Sequence, residues 1–299
     1  MTEAAVVPAA RRLHQDLISL TKPRIISLLL VTTIAPMYVA GNPSLLTVFW
    51  VALGGYLMAG GANAVNMYFD RDIDDVMART RLRPIPSGRM APRAVIAFGV
   101  SLATAATFVL AHFVNVLTAA LALGGFYCYV FVYTRWLKRS SPQNIVIGGA
   151  AGAFPPLVGW AGATGRVDLA SVFLFLIVFY WTPPHFWALA LNKQVDYGRA
   201  GVPMAPLVWG EIETIDQMLW YSVLLVALTV LPACIGTFGL IYLVSALGLG
   251  GLLVWGVWRV RAARPSGAWS KPAWWVYKYS LLYLALLFVA MVVDRHLPL

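Results

Sequence analysis

The chain has few charged residues, few cysteines and few histidines. Charged residues make up 11% of its 299 residues, whereas hydrophobic residues make up 60%. An ordinary soluble domain, in which about a quarter of the residues are charged, is therefore excluded. Its 2 cysteines, Cys128 and Cys234, lie in separate apolar segments, which indicates buried, inert thiols rather than a disulfide framework or a zinc site. We expect no removable signal peptide in residues 1–22, because they have no apolar core that ends in a small-residue cleavage site.

What the sequence has instead is a series of long apolar runs. Each run covers about 17–22 residues, enough for a helix to cross a hydrocarbon core about 30 Å thick. Transmembrane β-strands would need alternating segments of about ten residues, which the sequence does not have. We therefore predict an all-α, polytopic integral membrane bundle of about nine transmembrane helices. They lie at roughly 25–40, 46–68, 95–114, 116–134, 144–162, 169–190, 218–236, 238–257 and 274–293.

Basic residues are distributed unevenly among the loops between these runs. Apart from Arg166 and Arg295, they all fall on one side of the predicted bundle. By the positive-inside rule, we expect the N-terminus in the cytoplasm and the C-terminus outside the cell membrane. The net charge of +10 is then orienting charge and does not imply a nucleic-acid partner. We also expect residues 1–22 to be a mobile cytoplasmic segment and 23–299 to form a single transmembrane domain.

The predicted loops differ in length as well as in charge. Those on the outer side are short, whereas the cytoplasmic loops at 70–94 and 191–217 are longer and polar. We therefore expect an active-site cavity that is open to the cytoplasmic side.

The most informative segment is Asn66-Met-Tyr-Phe-Asp70-Arg-Asp-Ile-Asp74-Asp75, at the end of the second apolar run. Residues four apart lie on one face of a helix, so Asn66, Asp70 and Asp74 form a ladder of oxygen donors with about 6 Å per step. Such ligands suit Mg²⁺, which commonly takes one or two carboxylates with phosphate oxygens and water. We interpret Asp72 and Asp75, which point elsewhere, as solvated acids. Their expected partners are Arg71, Arg79 and Arg81.

A second segment repeats part of this pattern. Asn192-Lys-Gln-Val-Asp196 ends the sixth apolar run, four runs after the first Asn-xxx-Asp spacing. Such repeats are common in membrane bundles whose site lies between related halves. Asp196 is therefore a candidate metal ligand opposite Asp70. Asn66 and Asn192 are candidates to bind substrate, although either amide could simply hydrogen-bond between helices.

Basic side chains accompany both acidic segments. Guanidinium groups bind phosphate oxygens through paired hydrogen bonds, so basic residues beside a carboxylate–Mg²⁺ site fit a diphosphate substrate. The alternative is that these charges only orient the protein in the membrane. The candidates are Arg79, Arg83, Lys138, Lys193 and Arg199.

Taken together, the motifs resemble those of a known family. The ladder followed by Arg79-Thr80 and Arg83-Pro84 is similar to the first signature of the UbiA superfamily of intramembrane prenyltransferases, and the resemblance covers nearly all of the chain after residue 17. Four further segments are similar to its heme-farnesylating branch: Lys138-Arg-Ser-Ser-Pro-Gln-Asn-Ile-Val-Ile-Gly-Gly-Ala150, Gly152-Ala-Phe-Pro-Pro156, Thr182-Pro-Pro-His185-Phe-Trp and Asp196-Tyr-x-x-Ala-Gly-x-Pro-Met204. Where the superfamily commonly has two aspartates in its second motif, this chain has Asn192, which leaves the number of Mg²⁺ ions open.

The resemblance implies an activity and a set of site residues. It implies a Mg²⁺-dependent transfer of farnesyl from farnesyl diphosphate to a vinyl group of heme B, with addition of water, giving heme O and diphosphate. Heme B is then a substrate, and heme A synthase or cytochrome oxidase assembly factors are candidate partners in the bilayer. Asp70, Asp74 and Asp196 would be catalytic and metal-binding. The substrate-binding residues would be Asn66, Arg79, Arg83, Lys138, His185, Asn192, Lys193 and Arg199.

His185 is the one histidine of 4 well inside an apolar run. An ionisable residue at membrane depth indicates function. Ligation of heme iron and a hydrogen bond between helices both remain open for it. We expect Pro183-Pro184, immediately before it, to break the sixth helix.

Two other functions fit parts of the sequence. One is a related prenyltransferase that acts on an aromatic or quinone precursor. The other, from a different class, is a cation-coupled transporter or a heme-handling assembly protein. Acids in transporters usually lie near the bilayer midplane, whereas these acids lie at a helix end beside clustered arginines.

Overall fold

The long apolar runs fold into helices in the computed structural model, which describes residues 9–297, and that range contains no strand. The helices are α1 (Ala9–Thr21), α2 (Pro23–Ala40), α3 (Leu45–Phe69), α4 (Arg71–Val76), α5 (Pro92–Phe113), α6 (Val116–Ser140), α7 (Asn144–Thr164), α8 (Leu169–Asn192), α9 (Gln194–Arg199), α10 (Ala205–Val208), α11 (Gly210–Cys234), α12 (Leu240–Ala262) and α13 (Ser270–His296). Nine of these helices, within the described range, are long and apolar enough to cross a membrane. The predicted all-α membrane bundle is therefore confirmed.

Polar residues in the short loops set where several of these helices begin. The side chains of Ser44 and Asn115 accept hydrogen bonds from the backbone N–H groups at the starts of α3 and α6. Asp168 does the same for α8 and forms a reciprocal capping box with Ser171. Each cap satisfies an N–H group that has no partner within its own helix.

Several helix boundaries lie further out than the hydropathy pattern predicts, and α6 reaches Ser140 rather than ending near 134. The seventh span begins at Gly210 rather than near 218, and the eighth continues to Ala262 rather than ending near 257. The additional turns carry charged side chains, and Asp216 of α11 pairs with Arg261 of α12 at 2.7 Å. Hydropathy alone misses these turns because charged residues lower the mean hydropathy. Charged residues are nevertheless compatible with a helix that extends beyond the hydrocarbon core.

The predicted break at Pro183-Pro184 is wrong, because α8 continues as one helix through both prolines. A proline ring fixes φ near the helical value, so its cost comes from the missing N–H and from crowding of the preceding turn. Here that segment is packed on its neighbours, and Pro183, Pro184 and Trp187 are all buried. Tertiary packing therefore holds the helix together.

Small residues allow the closest helix contacts. A Cβ added to Gly159 of α7 would lie 1.7 Å from the carbonyl oxygen of Thr33 in α2, and one added to Gly61 of α3 would lie 2.6 Å from the carbonyl oxygen of Gly99 in α5. Only glycine permits such an approach. Close backbone contact of this kind is how helices pack where both the partner and the lipid are apolar.

The segment ahead of the first span differs from the predicted mobile lead-in. Residues 1–8 lie outside the described range, so the expectation remains a prediction there. From residue 9 to residue 21 the chain instead forms α1, with Leu20 fully buried. Asp16 of this helix pairs with Arg89 at 3.0 Å, and the amide of Asn63 in α3 donates to the Thr21 carbonyl at 2.9 Å. The domain boundary at residue 23 remains a prediction.

Candidate functional site

The junction between α3 and α4 keeps the predicted ladder on one face. The backbone N–H of Asp70 donates to the Asn66 carbonyl at 2.9 Å, and that of Asp74 donates to the Asp70 carbonyl at 2.7 Å. Helical hydrogen bonding therefore continues across the junction. All three ladder side chains are buried, with 3%, 1% and 2% of the surfaces of Asn66, Asp70 and Asp74 exposed. Carboxylates this deeply buried require compensating charge.

Asp70 receives its compensation on one of its two oxygens. Its Oδ2 accepts from Lys138 Nζ at 2.5 Å and from Asn66 Nδ2 at 2.7 Å. Asn66 Nδ2 also donates to Thr134 Oγ1 at 3.0 Å. The other oxygen, Oδ1, is buried and has no hydrogen-bond partner among residues 13–297. A buried carboxylate oxygen without a donor is a natural ligand for a hard cation.

Asp74 is held by the loop that follows α4. Arg83 Nη1 lies 2.8 Å and 2.7 Å from the two carboxylate oxygens. Thr80 Oγ1 donates to the Asp74 backbone carbonyl at 2.9 Å. These contacts fold the loop back over the ladder. The two predicted phosphate-binding residues Arg83 and Lys138 thus lie directly beside the two predicted metal ligands.

Asp72 points away from the ladder, as expected for a solvated acid. Its partner, however, is none of the three arginines that the sequence suggested. Arg139, at the end of α6, donates to both carboxylate oxygens at 2.7 Å and also to the Phe69 carbonyl at 2.6 Å. The hydrogen bonds from Arg139 lower the pKa of Asp72 to about 2. Sequence separation hid this pair, because the two residues belong to different helices.

Lys22 is a site residue that the sequence analysis did not count. It lies between α1 and α2 with φ 55° and ψ 61°, a left-handed conformation that is uncommon for a residue other than glycine. Its Nζ donates to Asn66 Oδ1 at 3.1 Å. Removal from water, followed by the charge of Arg83, lowers the pKa of Lys22 to about 7. The sequence feature that could have indicated this role is the position of Lys22 in a Thr-Lys-Pro segment at the edge of the first membrane span.

The charges around the ladder are therefore close to balance. Lys138 pairs with Asp70 and Arg83 pairs with Asp74. Lys22 adds a further positive charge whenever its amine is protonated. A site of this kind can accept an anion together with a cation, and a metal–diphosphate complex has that composition.

The second acidic segment is arranged differently. Asp196 lies on α9, is half-buried, and forms no ion pair with the basic residues of the described part of the chain. Among residues 13–297, moreover, no three histidine, cysteine or acidic side chains lie close enough together to hold one metal ion. Asp70, Asp74 and Asp196 are therefore not gathered into one ligand cluster. The roles assigned to them remain predictions.

The two acidic segments nevertheless meet through Tyr197 and Arg79. Burial raises the pKa of Tyr197, and the nearby guanidinium of Arg79 opposes that shift, while Asp196 adds to it. Arg79 belongs to the loop after α4, and Tyr197 lies on α9 next to Asp196. The loop of the first segment therefore borders the second.

The three remaining candidate substrate-binding residues near α9 contact different parts of the protein. Asn192 accepts from Ser270 Oγ at 2.6 Å and donates to the Ala188 carbonyl at 3.0 Å, so its amide connects α8 to α13. Lys193 Nζ lies 5.8 Å from the centre of the Trp274 ring. Arg199 is exposed. Substrate binding by these residues remains a prediction.

His185 lies between α8 and α13 with 5% of its surface exposed. Its ring is sandwiched between Trp181, at 4.3 Å, and Tyr277, at 4.8 Å between ring centres. Its Nδ1 lies 2.7 Å from Ser280 Oγ. The structure thus contains the interhelical hydrogen bond considered above, and a role toward heme remains a prediction. Sequence reasoning missed Tyr277 and Ser280 because they lie about a hundred residues further along the chain.

The fold and the site describe a polytopic helical membrane protein with carboxylates paired to basic side chains at one end of its bundle. Known proteins resemble this chain both in sequence and in fold. The model of the UbiA prenyltransferase family matches residues 28–282. A protein from Roseiflexus named protoheme IX farnesyltransferase is 54% identical, covering 99% of this chain and 55% of its own length. One of the same name from Symbiobacterium thermophilum is 52% identical, covering 94% of both chains.

Solved structures agree on the fold. A structure of digeranylgeranylglyceryl phosphate synthase aligns with a TM-score of 0.73 at 18% identity, covering 94% of this chain and 98% of the other. A UbiA homologue from Archaeoglobus fulgidus, bound to DMAPP and Mg²⁺, aligns with a TM-score of 0.64 at 14% identity, covering 92% and 99%.

The chain belongs to the UbiA prenyltransferase family, and the relatives above place it in the group whose members are named protoheme IX farnesyltransferase. It spans about half the length of several of these relatives, including those from Roseiflexus and Chloroflexus aurantiacus.

Proposed function

We propose that the protein transfers a farnesyl group from farnesyl diphosphate to a vinyl group of heme B, with addition of water, to give heme O and diphosphate. The relatives named protoheme IX farnesyltransferase support the substrates. The single structural observation that carries the proposal is the buried Oδ1 of Asp70, which has no hydrogen-bond partner among residues 13–297 and lies within a group of cationic side chains. That arrangement fits a metal-bound diphosphate better than it fits a structural ion pair alone.

The donor set fits Mg²⁺. The ion usually takes one or two carboxylates and completes its shell with water and substrate phosphates, so the buried carboxylates of Asp70 and Asp74 suit it. Asp70 and Asp74 would hold the ion on one side and Asp196 on the other. When bound, Mg²⁺ would neutralise charge that develops on the departing diphosphate. The Archaeoglobus fulgidus homologue, bound to DMAPP and Mg²⁺, supports this composition.

Basic side chains of the protein would also bind the diphosphate. Lys138 and Arg83, now paired with Asp70 and Asp74, can move their hydrogen bonds to phosphate oxygens once the carboxylates bind a cation. Arg79 is exposed beside the second acidic segment and can reach the diphosphate from that side. Preorganised cations in a site that excludes water stabilise a leaving anion strongly. The allylic C–O bond breaks, its electron pair leaves with the diphosphate, and the allylic carbon gains cationic character. The heme vinyl group forms a bond to that carbon, and water adds to the resulting cation and loses a proton.

The apolar parts of both substrates need a dry cavity next to the diphosphate site. Tyr197 borders Arg79, and Tyr277 lies close enough to Tyr197 to affect its pKa. Tyr277 in turn stacks on His185. Tyr197, Tyr277 and His185 thus form a series of rings that leads from the proposed diphosphate site into the bundle. We assign the heme to the cavity beside these rings, in contact with His185.

We further propose that the protein lies in the cell membrane with its N-terminus in the cytoplasm and its C-terminus outside, and that the cavity opens to the cytoplasm. The concentration of basic residues in the loops beside the ladder supports this orientation. Heme A synthase or cytochrome oxidase assembly factors are the proposed partners, because the product is a modified heme.

The test is direct. Purified protein is incubated with heme B, farnesyl diphosphate and Mg²⁺, and the porphyrin products are identified by mass spectrometry. We expect a hydroxyethylfarnesyl heme that does not form when the metal is chelated. Prenylation of an aromatic acid such as hydroxybenzoate, without any change to heme, would contradict the proposal.

A further inference from the structure

Ser280 of α13 is fully buried and uses both its side chain and its backbone to contact the surroundings of His185. Its Oγ lies 2.7 Å from His185 Nδ1 and 2.9 Å from the backbone carbonyl oxygen of Tyr277. Its own carbonyl oxygen accepts from Trp181 Nε1 at 2.7 Å. One residue therefore holds the imidazole and one of the two rings that sandwich it.

A serine hydroxyl has a single proton to donate. Ser280 donates that proton to the Tyr277 carbonyl, one turn earlier on the same helix. The short contact with His185 must then run in the other direction, with Nδ1–H as the donor and Oγ as the acceptor. A neutral imidazole protonated at Nδ1 carries its lone pair on Nε2.

The Nε2 atom is the ring nitrogen left for a ligand by this arrangement. It has no hydrogen-bond partner among residues 13–297, and His185 keeps 5% of its surface exposed. The ring itself cannot turn freely, because Trp181 and Tyr277 stack on its two faces at interplanar angles of 16° and 23°. The lone pair thus has a fixed direction in an apolar environment, as in an axial ligand of heme iron.

We propose that Ser280 is a positioning residue that fixes the Nδ1–H tautomer of His185, so that Nε2 can bind the iron of the heme substrate. This inference rests on the proposed function, since it assigns a contact to that substrate. The arrangement matches metal sites in which a histidine ligand donates its other ring N–H to a neighbouring acceptor, which sets its tautomer and orientation.

The tautomer can be measured without heme. Protein labelled with ¹⁵N in its histidines gives imidazole shifts that distinguish Nδ1–H from Nε2–H, and the His185 signal is assigned by its loss in His185→Gln. We expect the Nδ1–H form in the wild type. The Nε2–H form in the wild type would overturn the inference, whatever the enzyme's activity.

The contact with iron is measured by titrating the purified protein with heme B and following its Soret band and its iron–histidine vibration. Ser280→Ala should weaken heme binding by about 10- to 100-fold and shift that vibration, whereas Ser280→Thr, which keeps the hydroxyl, should recover both. Ser222→Ala is the matched control, because Ser222 is also fully buried and donates to a carbonyl of its own helix, that of Met218, at 2.8 Å. It should bind heme as the wild type does.

These outcomes separate the inference from the proposed function. If the wild type makes farnesylated heme but Ser280→Ala, folded as judged by its thermal unfolding, keeps the wild-type heme affinity and vibration, the positioning role is wrong and the function stands. If the wild type neither binds nor modifies heme, both fail together.

Discussion

The two acidic segments of the protein have similar sequences but different surroundings. Asp70 and Asp74 are buried, and each is paired with a basic side chain from elsewhere in the chain. Asp196 is half-buried and forms no ion pair with the described basic residues. The difference indicates two unlike halves of the proposed site: a preassembled half at α3 and α4, and an open half on α9 whose carboxylate forms no ion pair with the described basic residues.

Substitutions in the two halves should affect stability differently. Removing a carboxylate from the preassembled half leaves a buried or half-buried cation without its partner, which destabilises the protein as well as the site. Removing the carboxylate of the open half leaves no such cation behind. Removing Asp70 or Asp74 should therefore lower both activity and stability, whereas removing Asp196 should lower activity alone.

The largest effect is expected for Asp70→Asn and Asp74→Asn. Each variant loses a proposed metal ligand, and steady-state turnover with heme B and farnesyl diphosphate should fall by about 10²- to 10³-fold. Asp72→Asn is the matched control, because Asp72 lies between Asp70 and Asp74 in the chain but is exposed and paired with Arg139. Its turnover should stay within about twofold of wild type, and equal losses in all three variants would remove the ladder from the site.

The open half is tested by Asp196→Asn. Turnover should fall by about 10-fold to 10²-fold, with the apparent Mg²⁺ requirement raised, because one side of the ion loses its ligand. Thermal unfolding of the apoprotein should remain at the wild-type temperature, since no ion pair is broken. A clear loss of stability in Asp196→Asn would contradict the difference between the two halves.

A smaller effect is expected for Arg83→Lys. The lysine amine keeps the charge but lacks the planar fork of donors with which a guanidinium binds phosphate. In Arg83 only Nη1 of that fork contacts the two oxygens of Asp74. We expect turnover to fall by about tenfold, mainly through a higher KM for farnesyl diphosphate. Arg81→Lys, in the same loop and exposed, is the control, and a matching loss there would show that the effect is not specific to the ladder.

The smallest effect concerns pH. The pKa of Lys22 is lowered to about 7, so in the substrate-free protein the amine is cationic below that pH and neutral above it. Binding of the anionic diphosphate should weaken as the charge is lost, raising the KM for farnesyl diphosphate about three- to tenfold between about pH 6 and about pH 8. Lys22→Arg stays charged and should remove the rise. The same rise in both proteins would assign it to another group.

The sequence predicted most of the fold because membrane spans are determined locally. Length and hydropathy are sufficient to place nine apolar helices within the described range. The break at Pro183-Pro184 was wrongly expected, since local propensity does not include the packing that holds α8 together. The boundary of α11 was missed for the related reason that its charged first turns depend on a partner in α12.

The sequence predicted only those site residues whose relative positions follow from the geometry of a single helix. The spacing of Asn66, Asp70 and Asp74 fixes their common face, because each step is one helical turn. The groups that neutralise the ladder come from distant parts of the chain: Lys22 is 44 residues from Asn66, and Lys138 is 68 residues from Asp70. Periodicity does not reveal such pairs, since only the packing of separate helices brings them together.

Binding of a divalent metal by Asp70 together with diphosphate can be observed spectroscopically. Mn²⁺ replaces Mg²⁺, and its binding is followed by electron paramagnetic resonance in the presence of a non-hydrolysable thio analogue of farnesyl diphosphate. The wild type and Asp72→Asn should show one tightly bound population with coupling to phosphorus, which Asp70→Asn should lose. Bound Mn²⁺ with unchanged affinity and phosphorus coupling in Asp70→Asn would contradict the account.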